Sequence, residues 1–227
     1  MQKKLLNKTA DRKEENEQLV LAVVGPMASG KNLVSEILEK NGFLAIDADR
    51  VAHTAIEENK EKILETFQKD AEKAGLSLLG PDGSINRRHL GRILFANPSL
   101  LQKQEAIIHP HVDTKLNAFI DSHPQQNIVL NATLLYKTPV IKRCKAILYV
   151  QSPLVFRFYR VIKRDSLPIK QIFHRFLAQK KLFSQYKNLN ADILIVRNYR
   201  SKKCLEKQVF KRLKQIFNEG KQDYGRK

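Results

Sequence analysis

The chain has 227 residues, 42% of them hydrophobic, with 41 Lys plus Arg against 23 Asp plus Glu and a formal net charge of +18. That apolar share is too high for a disordered chain, and nine Gly with eight Pro exclude a collagen-like or low-complexity composition. The longest apolar run, Leu19 to Val24, is far short of the roughly 20 residues that span a bilayer. Residues 1–17 read as a polar extension with no apolar core for a secretory signal. Cys144 and Cys204 show no CxxC spacing, which argues against a zinc site or a disulfide scaffold. The class expected is a globular cytoplasmic protein that is not a membrane protein. Its positive charge fits a solvated basic surface or a site for polyanionic small molecules. Nucleic acid is the least favoured partner, because the Lys and Arg are spread along the chain with no basic arm or RNA-binding aromatic motif.

In chain order, Leu19 to Val24 is a continuous apolar run stopped by Gly25-Pro26, the pattern of a strand buried on both faces. Asn32 to Asn41 has apolar residues at 33, 34, 37 and 38 and ends at Gly42, which predicts a helix. Phe43 to Ile46 is a second strand, running into Asp47-Ala48-Asp49. Helical patterns follow at Ile63, Leu64, Phe67 and Ala71, at Asn86 to Phe95 and at Pro98 to about Ile108. Asn127 to Leu130, Ala146 to Val150 and Ile193 to Val196 are three further strands. Basic helical stretches cover Pro153 to Arg164 and Pro168 to Ala178, and Leu205, Val209, Leu213, Ile216 and Phe217 form one face of a closing helix. Strands separated by helices, without hairpin signals, predict an α/β fold with a parallel sheet of about five strands covered by helices. The expected organisation is a core at 18–52 and 124–227, with a helical insertion at 53–123.

Gly25-Pro-Met-Ala-Ser-Gly30-Lys31 fits the pattern GxxxxGK. Placed between a buried strand and a helix, such a loop wraps a phosphate with backbone N–H groups and a helix N-terminus. Glycines let the backbone approach the anion without a Cβ clash. On this reading Gly25, Ala28, Ser29, Gly30, Lys31, Asn32 and Leu33 form the phosphate-binding site, and Lys31 reaches the outer phosphates as a point charge. The bland alternative is a glycine-rich turn. The phosphate-loop signature closes on Ser or Thr, whose hydroxyl ligates magnesium, and Asn32 stands there instead. An amide oxygen can enter a Mg²⁺ shell, so Asn32 is a weak metal ligand. Asp47 and Asp49 follow the second strand, on the side of the phosphate loop, at the carboxyl ends of the strands where ligands gather. A carboxylate there can take a hydroxyl proton or hold a metal-bound water, and it can equally cap the next helix.

With these residues in view, the chain resembles the dephospho-CoA kinase family of P-loop kinases. The resemblance rests on the phosphate loop, on Ile46-Asp-Ala-Asp49 with His53, and on Asp82-Gly-Ser-Ile-Asn-Arg87-Arg-His-Leu90. It continues through Phe95-Ala-Asn-Pro98, Ile107-Ile-His109-Pro110, Arg160-Val-Ile-Lys-Arg164-Asp165, Arg175-Phe-Leu-Ala-Gln179 and Ala191-Asp192 with Asn198. It implies transfer of a phosphoryl group from ATP to the ribose 3′-hydroxyl of dephospho-CoA, with Mg²⁺ as cofactor. It implies that Asp49 acts as base or metal-water holder beside Lys31, and that the insertion binds the acceptor, with Arg87 and His109 as candidate contacts. It also implies that Arg160 and Arg164 belong to a closing lid at about 153–185. From the residues alone, His109 before Pro110 suits a core histidine at a helix break, and Arg87 suits a substrate anchor and a salt bridge within the insertion equally well. The family usually carries Asp where Asn131 stands, Pro at Thr133 and Glu at Lys137. Those departures keep open a different small P-loop kinase or a non-catalytic nucleotide-binding protein.

Overall fold

The computed structural model describes residues 18–164, 169–189 and 191–222. The polar stretch at 1–17, and Asp165 to Pro168 of the expected lid, lie outside the described residues. Five parallel strands form one sheet: β1 (Val20–Val24), β2 (Phe43–Asp47), β3 (Asn127–Ala132), β4 (Ala146–Gln151) and β5 (Asp192–Arg197), in the order β2-β3-β1-β4-β5. Burial follows that order. All five residues of central β1 are buried, whereas the edge strands β2 and β5 keep partly exposed positions. This is why β1 reads as an unbroken apolar run rather than an alternating one. β1 starts one residue later than its apolar run, and β2 to β5 run one or two residues longer than theirs, because ladder pairing extends to Asp47↔Asn131 and Gln151↔Arg197.

The chain clusters into two compact units, one of Met1–Asp47 with Ile120–Lys227 and one of Ala48–Phe119. In the first, the helices are α1 (Lys31–Glu39), α6 (Leu154–Arg164), α7 (Ile169–Ala178), α8 (Leu182–Lys187) and α9 (Lys202–Gln222). Leu21, Val23, Leu148, Val150, Leu194 and Val196 turn one sheet face toward Val34, Ile37 and Leu38 of α1 and Leu205, Val209, Leu213 and Ile216 of α9. On exposed positions of α9, Lys203, Lys207, Lys211 and Lys214 stand three or four residues apart. Such like-charge neighbours cost about 0.2–0.5 kcal/mol each. Each buried α9 side chain returns about 1.5–3 kcal/mol, so the apolar face decides the helix. On β4, Tyr149 meets Phe183 and Tyr186 of α8 edge-on, at ring separations of 4.8 and 6.1 Å.

The second unit contains α2 (Ala48–Glu58), α3 (Lys60–Lys73), α4 (Arg87–Ala96) and most of α5 (Pro98–Asp121). Ile63, Phe67 and Ala71 bury one face of α3, and the Asn86 side chain caps α4 by accepting from His89 N–H at 3.1 Å. The Asp82 carboxylate accepts from the Ser84 hydroxyl and N–H, which holds its pKa below the ordinary carboxylate value and closes the turn before α4. One sequence expectation is corrected here. Instead of breaking at His109-Pro110, α5 continues to Asp121. Proline removes one N–H and crowds the preceding turn. Ile107, Ile108, Val112 and Leu116 nevertheless bury an apolar stripe on both sides of it, and this burial carries the helix through. Among the described residues no helix is long and apolar enough to cross a membrane.

Candidate active site

The glycine-rich loop connects the end of β1 to α1, and its conformation explains its glycines. An ideal Cβ on Gly25 would lie 2.5 Å from the Val150 carbonyl oxygen and 2.8 Å from Ser29 Oγ. Gly30 has φ +98°, and a Cβ there would lie 2.0 Å from Asn198 Nδ2. Ala28 also takes a left-handed φ of 60°. Left-handed residues alternating with ordinary ones turn successive N–H groups into a concave anion nest. The Ser29 N–H closes the turn on the Pro26 carbonyl at 3.1 Å, and the Gly30 carbonyl accepts the first helical bond from Val34 at 3.2 Å.

Side chains from elsewhere in the chain hold the loop, and the Arg157 Nε donates to the Met27 carbonyl at 2.8 Å. The Arg160 Nη1 donates to the Ala28 carbonyl at 3.1 Å and to Ser152 Oγ at 3.2 Å. Asn198 Nδ2 donates to the Ser29 carbonyl at 2.8 Å. Gln179, just past α7, accepts from the Met27 N–H at 2.8 Å. Burial lowers the pKa of both guanidinium groups, and for Arg157 the nearby Tyr149 partly opposes this. The Arg157 side chain also stacks on Phe176, its guanidinium carbon 4.5 Å from the ring centre. Arg160 is thus tied to loop carbonyls, a contact different in kind from the phosphate contact expected of a lid arginine.

At the start of α1, Lys31 Nζ donates to Thr133 Oγ1 at 3.0 Å. Asn32 Oδ1 accepts from Asn131 Nδ2 at 3.0 Å, so two amides join the helix start to the end of β3. Asn131 is 5% exposed and its Oδ1 is buried without a hydrogen-bond partner. In the ladder Asn131 stands beside Asp47 of β2.

An open pocket of about 420 Å³ is lined by Ala28, Gly30, Lys31, Asn32, Tyr159, Arg160, Lys163 and Arg164. Four of these side chains are cationic and none is anionic, the electrostatics of a polyphosphate site. The structure therefore gathers six sequence-derived candidates: Ala28, Gly30, Lys31, Asn32, Arg160 and Arg164. Gly25 and Ser29 are buried behind them, and Leu33 packs its side chain against the core. Asp49 lies in the first turn of α2, directly after the β2 strand end, Arg87 is exposed at the first position of α4, and His109 is half-buried in α5. These last three belong to the second unit. Sequence reasoning missed Arg157, Ser152, Tyr159 and Lys163 and gave Gln179 and Asn198 no role. The available signal was the spacing of Arg157, Arg160 and Arg164, which puts three cations on one helical face.

Comparison with known proteins follows the same lines. The family model described as dephospho-CoA kinase (CoaE) matches residues 19–203. A dephospho-CoA kinase of Treponema denticola is 40% identical over 204 residues, covering 88% of this chain and 91% of the relative. One from Treponema pallidum is 36% identical, covering 79% of this chain and 86% of its own length. Among solved structures, a Thermus thermophilus protein superposes with a TM-score of 0.69 at 27% identity, covering 90% of this chain and 98% of its own. A dephospho-CoA kinase of Campylobacter jejuni gives 0.62 at 23% identity, covering 88% and 98%, and supports the fold. A parallel sheet carrying a phosphate loop, and a family match that runs from the first strand past the last, lead to one assignment: the chain belongs to the dephospho-CoA kinase family.

Proposed function

We propose that this chain phosphorylates the ribose 3′-hydroxyl of dephospho-CoA with ATP, giving coenzyme A and ADP in the cytoplasm. The observation that carries the reading is the pocket built on the phosphate loop at the carboxyl end of β1, whose charged side chains are all cationic. Backbone N–H groups of the loop cradle the phosphates, and Lys31, Lys163 and Arg164 supply positive charge where it spreads on the transferred group. The 3′-oxygen attacks the γ-phosphorus, the bond to the bridging oxygen breaks toward ADP, and the hydroxyl proton passes to the Asp49 carboxylate. Arg87 and His109 contact the acceptor. Tyr159 and the other side chains of α6 cover the phosphates and keep out water that would compete with the acceptor.

The residues present suit a hard divalent cation, since the Asn131 Oδ1 is a buried oxygen without a partner and Asn32 Oδ1 lies within one amide of it. These two amides would hold Mg²⁺, which when bound screens charge on the outer phosphates. Both oxygens are neutral, so they attract the ion less than a carboxylate would.

The test compares acceptors at equal ATP. Dephospho-CoA should be phosphorylated at least 100-fold faster than AMP or adenosine, as kcat/KM, and Asp49→Asn should lower that rate about 1,000-fold. Equal turnover of AMP would assign a different acceptor. Near-normal turnover by Asp49→Asn would leave that carboxylate a helix cap.

A further inference from the structure

Three consecutive loop carbonyls, those of Met27, Ala28 and Ser29, each accept a hydrogen bond from a side chain outside the loop. In a trans peptide unit the C=O and the following N–H point in opposite directions. Holding the Met27 carbonyl toward Arg157 therefore turns the Ala28 N–H to the opposite side, and holding the Ser29 carbonyl toward Asn198 does the same for the Gly30 N–H. Ala28 and Gly30 are the loop residues that line the cationic pocket between the last β1 residue and Lys31. These carbonyl bonds thus decide which way the Ala28 and Gly30 N–H groups face.

Asn198, just past β5, is the most constrained donor of the three. It is 5% exposed, and its own N–H bonds the Gln151 carbonyl at 2.7 Å. Its carbonyl accepts from Ser152 Oγ at 2.7 Å and from Arg160 Nη2 at 3.3 Å. Its carboxamide lies so close to Gly30 that no side chain could stand there. Both main-chain groups of Asn198 are fixed, and its side chain is held against the Ser29 carbonyl at 2.8 Å.

We propose that Asn198 is a positioning residue for phosphate binding, its Nδ2 holding the Ser29–Gly30 peptide in the orientation that presents the Gly30 N–H to the nucleotide. Without that donor the Ser29 carbonyl keeps only the longer bond from Arg160 Nη1, at 3.4 Å, and the peptide gains a reason to turn over. This rests on the phosphate-loop reading above. Asn198→Asp keeps the shape but cannot donate, and Asn198→Ala removes the group. Each should raise KM for ATP and the Kd for ADP about tenfold. The value of kcat should fall less than threefold, and KM for dephospho-CoA should stay within twofold.

A folded Asn198→Asp enzyme, checked by circular dichroism, with KM for ATP and Kd for ADP within twofold of wild type would overturn the proposal. So would a fall in kcat alone. If both variants fail to fold, Ser152→Ala loosens the same clamp from behind and should raise KM for ATP two- to threefold, an unchanged value overturning the proposal. Lys31→Ala, run alongside, separates the two readings. Loss of ADP binding there but not in the Asn198 variants overturns the Asn198 role alone, and no loss in either overturns the phosphate-loop reading with it.

Discussion

On the proposed mechanism Lys31 works through charge, and its ammonium donates to the Thr133 hydroxyl at 3.0 Å. Lys31→Ala should therefore keep the circular dichroism spectrum and lower kcat/KM by about 100-fold or more, the scale of losing one cation at a transferring phosphoryl group. Cys144 offers a prediction independent of catalysis. Burial pushes its thiol up to about 12 from an ordinary 9.0, with Arg143 opposing the shift weakly. The folded state thus keeps a proton that the unfolded chain releases above pH 9, and the stability tied to this group is complete below pH 9. It is lost as pH rises from 9 toward 12. Cys144→Ala should flatten that part of the stability curve, measured by urea unfolding at pH 8, 9 and 10. An identical slope in both proteins would mean that the thiol is not desolvated.

At the scale of elements, the junction of α1 with β3 is where this chain departs most from the phosphate-loop signature. The Asn32–Asn131 bond puts two neutral amides where a hydroxyl and an acid are expected. Asn131→Asp should lower the Mg²⁺ concentration giving half-maximal ADP binding about tenfold, read by titration calorimetry, and Asn32→Ser should leave turnover unchanged or higher. A Mg²⁺ requirement that does not move with Asn131→Asp would place the ion elsewhere. Much of this architecture is legible in the chain. Leu19 to Val24 reads as a central strand because burial on both faces leaves no polar position. The α1 and α9 faces read from their spacing, and the loop reads because Gly25 and Gly30 sit where a Cβ has no room. The clamp is not legible. Arg157 reaches a partner 130 residues away and Asn198 one 169 away, and a lone Asn or Arg carries no local mark of such a bond. The α5 end was misread for a related reason: Pro110 is a strong local signal, while the apolar stripe that outweighs it is spread over several turns.

For the whole molecule, a net charge of +18 surrounds a pocket whose ionic side chains are all positive, and both ATP and dephospho-CoA are polyanions. Long-range attraction of this kind is screened within about 10 Å at 0.1 M salt. Raising NaCl from about 50 to 500 mM should increase KM for ATP several-fold while kcat changes less, because the direct contacts at the reacting group are screened less. A salt-independent KM would reduce the surface charge to a solvated exterior. The sheet order puts the phosphate loop on the central strand, flanked by β3 and β4, so the loop starts from the most buried part of the sheet. The most direct test of the whole account is phosphorus NMR of the product made from ATP and dephospho-CoA. The account predicts one new phosphomonoester, coupled to the ribose H3′ proton and equimolar with ADP. ADP formed without that signal, or a phosphate on another hydroxyl, would contradict it.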